Sequence, residues 1–244
     1  MPMRPQYRNL GCAMTARYAI YFAPAQDSPW WTFGAGWLGR DEFADTPFLA
    51  SESAHFETDE RLAITLEPRR YGFHATLKAP FRLGKKHTHH HLIERVQALS
   101  EQLSACAIGP LQAQSLGKFV ALLPSKTPAQ VATVAQTCVL GLDDLRAPLT
   151  EEDLARRQIS KLDARELELL HCYGYPYVLE KFRFHFSLTG PVDQPTRERV
   201  IQDVAQHVKQ LNQHAPLVLD RLCVFRQATL GAPFKRIADA VLAI

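Results

Sequence analysis

Residues 73–80 read Phe73-His74-Ala75-Thr76-Leu77-Lys78-Ala79-Pro80, and residues 184–191 read Phe184-His185-Phe186-Ser187-Leu188-Thr189-Gly190-Pro191. The shared pattern is F-H-x-[ST]-L-x-x-P. Each copy reads as a β-strand closed by its proline, because proline has no N–H to give to a central ladder. Alternate side chains of a strand share a face. Phe73, Ala75 and Leu77 therefore form an apolar row, with His74, Thr76 and Lys78 on the other side. In the second copy Phe184, Phe186 and Leu188 are the apolar row, and Arg183, His185, Ser187 and Thr189 the polar one. Each polar row carries an imidazole, a hydroxyl and a nearby cation. Two such rows facing one cleft would hold an anion between an acid and a base.

Upstream of the first copy, Arg17 to Ala23 alternates as a strand before Pro24. Ser28 is a helix N-cap, with Pro29 at the first helical position and Trp30, Trp31, Phe33 and Trp37 following. Gly34, Gly36 and Gly39 weaken that helix. Asp41 to Arg69 reads as mostly irregular, with a short helix or strand over Arg61 to Leu66. Downstream, helical spacing runs from His87 to Ala105 and from Pro128 to Leu140. Strands are expected over Leu111 to Leu116 and Lys118 to Leu123, joined at Gly117. Thr150 with Glu151, Glu152 and Asp153 marks a helix start, and Asp163 to Cys172 continues that helical region. After the second copy come a helix over Thr196 to Asn212 and strands over Leu217 to Phe225 and Phe234 to Ile237. Each half thus carries a repeat strand, a long helix and further strands. That order suggests an α+β arrangement with pseudo-twofold symmetry. Residues 147–175 have no counterpart in the first half and read as an inserted helical cap.

The chain has 244 residues, 46% of them hydrophobic and 22% charged, enough for one large domain or two packed lobes. Its net charge of +3 is too small to imply a polyanion-binding surface. Five widely spaced cysteines without a CxxC fit a reducing compartment. With no apolar run of membrane length and no secretory signal, the expectation is a cytoplasmic protein without membrane partners. Residues 1–16 read as a flexible leader or, with Met14 just before the first strand, a mis-assigned start. Residues 17–244 read as a single bilobal domain.

The paired H-x-[ST] strands resemble those of the 2H phosphoesterase superfamily, which includes cyclic phosphodiesterases and RNA 2′,5′ ligase-like proteins. RYAIYFAP, FGAGWLGRD, PRRYGFHATLKAPF, ARRQISKL, GYPYVLEKFRFHFSLTG and GAPF are similar to the branch often encoded beside phosphonate-utilisation genes. The resemblance runs from Arg17 to Phe234. It implies a bilobal α+β fold, with two related antiparallel sheets lining a central cleft and helices outside. It also implies metal-independent phosphoester chemistry without a cofactor, with His74 and His185 catalytic and Thr76 and Ser187 holding phosphate.

Two imidazoles suit that chemistry on their own terms. Opening a cyclic phosphodiester needs a base to activate water and an acid to protonate the leaving oxygen, and histidine titrates nearest neutrality. One ring must be neutral and the other protonated, so the rate should be bell-shaped in pH. Thr76 and Ser187 can donate to the non-bridging oxygens, Lys78 and Arg183 can add positive charge, and Tyr71 offers an aromatic surface for a sugar or base. Which histidine is the acid is left open by the spacing. His87, His89, His90 and His91 read as a solvated helix start rather than a metal site, since only His87 and His91 share a helical face.

The leading expectation is a phosphodiesterase for a small cyclic or ribose-linked phosphoester in phosphonate metabolism. The alternatives are an RNA-end enzyme acting on a nucleotide or short RNA, which opens 2′,3′-cyclic or forms 2′,5′ linkages, and a non-catalytic module that binds phosphorylated ligands.

Overall fold

The computed structural model describes residues 16–243 apart from 45, 50–52, 156 and 158. The expected leader therefore lies almost wholly outside the described residues. In chain order the elements are β1 (Arg17–Phe22), α1 (Pro29–Leu38), β2 (Arg40–Asp41), β3 (Thr46–Pro47), α2 (Thr58–Ile64), α3 (Leu66–Arg69), β4 (Ala75–Phe81) and α4 (His89–Ser100). Then follow β5 (Cys106–Ala107), β6 (Leu111–Leu116), β7 (Phe119–Pro124), α5 (Ala129–Gly141), α6 (Glu151–Ala155) and α7 (Ala164–Tyr173). The chain finishes with β8 (Phe186–Ser187), α8 (Gln194–His214), β9 (Val218–Leu219), β10 (Arg221–Gln227) and β11 (Phe234–Val241).

The α+β class stands, but the two separate sheets do not. One seven-stranded sheet runs β11-β10-β1-β4-β8-β7-β6, and the remaining strands form two small pairs. All of its neighbours are antiparallel. The motif strands β4 and β8 lie side by side near its middle, joined by one residue pair, Ala75 opposite Phe186. They divide the sheet into four strands on one side and three on the other.

Helices α1, α4, α5 and α8 cover one face through a continuous apolar core. The apolar rows of both motifs belong to it: Phe73, Ala75, Leu77, Phe184, Phe186 and Leu188 are all buried. Phe73 stacks on Phe186 with centroids 4.6 Å apart, and Phe22 packs against Phe184 and Phe186. Helix α1 braces this stack. Ser28 caps it by accepting from the Trp31 N–H, with Pro29 at its start. Trp37 donates from Nε1 to the Leu188 carbonyl at 2.9 Å. Gly34 lets Phe73 lie directly on the helix, where a β-carbon would stand 2.0 Å from Phe73 Cγ. The glycine that weakens the helix locally is what admits the first motif.

Several expectations are corrected. Strand β4 does not end at Pro80 but includes it. The register with β1 slips, from Tyr21 opposite Thr76, to Ile20 opposite Lys78, to Tyr18 opposite Phe81. Pro80 falls in the second slip, one of the places a sheet tolerates proline. The second motif strand is only two residues long, because the Leu188 and Thr189 N–H groups both turn to the Val120 carbonyl. The stretch from Asp41 to Arg69 is less irregular than expected. It holds α2 and α3, with Asp59 and Glu60 in the first turn of α2, where carboxylates offset the helix dipole.

Residues 147–175, expected to form a helical cap, carry α6 and α7. Asp163 and Glu166 form a capping box at α7, which makes it a separate helix rather than a continuation. Leu169 and Val178 of this region pack on Val139 of α5, with Tyr173 and Tyr175 alongside. Arg82 pairs with Asp153 at its other end. Among the described residues no helix is long and apolar enough to cross a membrane.

Candidate active site

Ala75 opposite Phe186 fixes the neighbours on either side. In an antiparallel pair, one step along each strand sets His74 across from Ser187, and one step the other way sets Thr76 across from His185. These four side chains point away from the phenylalanine stack. Directly opposed β-carbons in such a pair are about 5 Å apart and diagonal ones about 7–8 Å. Two imidazoles thus occupy opposite corners of a small quadrilateral, with hydroxyls at the other two.

Both rings are held the same way. His74 Nδ1 lies 2.9 Å from the Gly72 carbonyl, and His185 Nδ1 lies 2.9 Å from the Arg183 carbonyl. A carbonyl only accepts, so each Nδ1 carries the proton and each Nε2 is left to exchange one with a ligand. Gly72 has φ +79°, and a β-carbon there would stand 2.8 Å from Glu42 Cβ. The local turn that anchors His74 therefore needs glycine.

Burial pushes His74 down to about 4, with the Gly72 carbonyl partly offsetting and the neighbouring His185 adding to the fall. His185 is also lowered, first by burial and then by the Arg183 guanidinium, against the pull of the Arg183 carbonyl. Each histidine thus favours its neutral form until an anion arrives to compensate.

Thr76 and Ser187 are half-buried, and neither hydroxyl has a partner among the described residues. Thr189 differs: its Oγ1 is buried and accepts from the Val120 N–H at 3.0 Å. Arg183 is exposed beside His185. Tyr71 lies 5.9 Å from the His74 ring, packed on Phe234 at 5.1 Å.

Lys78 does not join this group. Its amine donates to the Val139 carbonyl and to Asp143, each at 3.0 Å, and is buried. The register slip after Thr76 puts Lys78 opposite Ile20, a residue of the helix-covered core, and so breaks the alternation that would align it with His74.

Two site residues are not apparent from the motifs. Tyr21 stacks on His74 with centroids 3.8 Å apart and planes at 29°. It lies opposite Thr76 on β1, and burial, first of all, raises its phenol well above the usual value. Phe119 lies 6.0 Å from His185. Both sit in strands the sequence shows, but only the pairing order brings them to the histidines. At the helix start, His87 Nδ1 and His91 Nδ1 lie 3.1 Å apart, and no third metal-ligating side chain joins them among the described residues.

Residues 76–235 match the family described as "Protein of unknown function (DUF1045)", and the chain belongs to that family. Among curated proteins it is 37% identical over 221 residues to a "Ribose 1,5-bisphosphate phosphokinase PhnN" of Janthinobacterium sp. (strain Marseille), covering 89% of this chain and 49% of that protein. It is 35% identical over 178 residues to a protein of the same name from Laribacter hongkongensis (strain HLHK9), covering 73% of this chain and 41% of that one. The chain therefore spans about half the length of these relatives, or less.

Proposed function

We propose that this protein is a phosphodiesterase of the 2H type that hydrolyses a small cyclic or ribose-linked phosphoester between His74 and His185. The observation that carries the reading is the matched anchoring of the two rings, each with Nδ1 tied to the carbonyl two residues back and Nε2 without a hydrogen-bond partner among the described residues. In the reaction one neutral Nε2 takes a proton from water as its oxygen bonds to phosphorus. The other ring, protonated at Nε2, gives its proton to the ester oxygen as the second P–O bond breaks. Burial lowers the proton affinity of both rings, and either one can serve as base with the other as acid. Thr76 and Ser187 donate to the non-bridging oxygens, where negative charge builds. Arg183 adds positive charge at the rim.

The two imidazoles supply both proton transfers, so the step requires no metal-bound hydroxide. The relatives' name bears on the substrate rather than the reaction. It points to a phosphorylated ribose and fits the phosphonate-associated branch. The match covers less than half of each relative, and the 244 residues contain no G-x-x-x-x-G-K-[ST] loop. We therefore assign phosphoester hydrolysis, not phosphoryl transfer from a nucleotide, to this chain. The test is a turnover screen with excess chelator on ribose 1,2-cyclic phosphate, 2′,3′-cyclic nucleotides and 2′,5′-linked dinucleotides. Hydrolysis of the ribose compound, undiminished by chelator, is expected. Activity appearing only with added divalent metal would overturn the mechanism.

A further inference from the structure

A second group of cations lies along the sheet from the histidines, where residues 147–175 meet the start of β1 and the end of β4. Arg17, Lys78, Arg82, Arg146 and Arg157 line one cleft there, together with Tyr175. Two carboxylates answer five cations. Asp143 takes both Lys78 and Arg146, and Asp153 takes Arg82. Arg17 and Arg157 have no carboxylate partner among the described residues. Arg17 donates to the neutral Gln227 amide oxygen at 2.8 Å and lies over the Phe234 ring at 5.7 Å. Arg157 stands over the Tyr175 ring at 5.4 Å. Burial lowers its proton affinity first, Tyr175 and Asp153 offset this, and Arg17 and Arg146 repel it.

The cleft connects to the histidines through aromatic rings. Phe234, beneath Arg17, stacks on Tyr71 at 5.1 Å, and Tyr71 lies 5.9 Å from His74. Tyr21, stacked on His74, is also close enough to Arg17, Tyr71 and Tyr175 to feel their charges. The enclosed space is only ≈ 30 Å³, so a ligand would seat at the mouth, between the guanidinium groups, rather than within.

We infer that Arg17 and Arg157, with Tyr175, form an anion subsite for a terminal phosphomonoester at the end of the substrate remote from the phosphorus that reacts. The inference rests on the reading of His74 and His185 as the reacting pair. Two guanidinium groups in no direct ion pair among the described residues match a dianion in charge, and each offers the forked donors that phosphate accepts. The flanking rings suit the sugar between the two phosphates.

The test compares ribose 1,2-cyclic phosphate with its 5-phosphorylated form. In the wild type, the extra phosphate should raise kcat/KM by about tenfold to a hundredfold, the worth of charge-assisted hydrogen bonds to one group. Arg157→Gln and Arg17→Gln should bring that ratio toward one, and Arg157→Lys should keep part of it, with far-UV circular dichroism checking the fold. Calorimetric titration with ribose 5-phosphate gives a readout independent of turnover. Binding by wild type that weakens at least tenfold in Arg157→Gln supports the subsite even if no substrate is hydrolysed, an outcome that would sink the catalytic reading alone. A wild-type ratio near one, no wild-type binding of ribose 5-phosphate, or a ratio unchanged in both glutamine variants would overturn the subsite, whatever happens at His74 and His185.

Discussion

At the scale of single residues, the site turns on two imidazoles that are hard to protonate. His74 is neutral when folded, with its affinity lowered to about 4 from an ordinary 6.5. Between those values the unfolded chain binds a proton that the folded chain refuses. The stabilisation is fully present above pH 6.5 and is lost as pH falls toward 4. Discounted for the ring's partial exposure, it amounts to about 2 kcal/mol. Urea midpoints measured from pH 7 to 4.5 should therefore fall less steeply in His74→Asn than in wild type. The same depression sets the rate profile. With one ring neutral and one protonated in the free enzyme, kcat/KM should peak on the acid side of 6.5, and a peak above pH 8 would refute the assignment. Thr76→Val and Ser187→Ala should each lower kcat by about 10²-fold or more if the hydroxyls hold developing charge, with thermal unfolding little changed because neither has a partner to lose among the described residues.

At the scale of elements, alternation in the two motifs made the buried apolar rows legible, Phe73, Ala75 and Leu77 in one and Phe184, Phe186 and Leu188 in the other. The positions that failed lie where a strand depends on its neighbour. Lys78 leaves the row because β4 slips against β1, and Pro80 stays inside the strand at the same irregularity. Single-residue spacing carries no sign of either, since a bulge is a property of a pair of strands. Tyr21 was visible as a strand residue, but its place over His74 follows from strand order, which the chain's local pattern does not encode. Gly34 shows the reverse case: propensity alone marks it as a weakness, whereas packing against Phe73 explains it. Gly34→Ala should destabilise by about 1–3 kcal/mol through overpacking, read by chemical denaturation, although alanine is the better helix former.

At the scale of the molecule, one sheet presents both motifs side by side, and ion pairs fix the chain beyond α5 to the end of β4, with Asp143 on Lys78 and Asp153 on Arg82. The helical character of residues 147–175 was legible in the sequence, and α6 and α7 lie there. The sequence did not show that Asp143 would bind Lys78 and Arg146 together. Asp143→Asn leaves the buried Lys78 amine without its counter-charge and should cost about 2 kcal/mol or more, seen as a lower Tm. The central claim, that His74 and His185 act on one phosphorus atom, is tested most directly by kcat/KM on a cyclic ribose phosphodiester in chelator for His74→Ala, His185→Ala and the double variant. Each single loss should be about 10²- to 10⁴-fold, and the double should fall well short of their product, because the two rings serve one transition state. A folded single variant with the wild-type rate would contradict it.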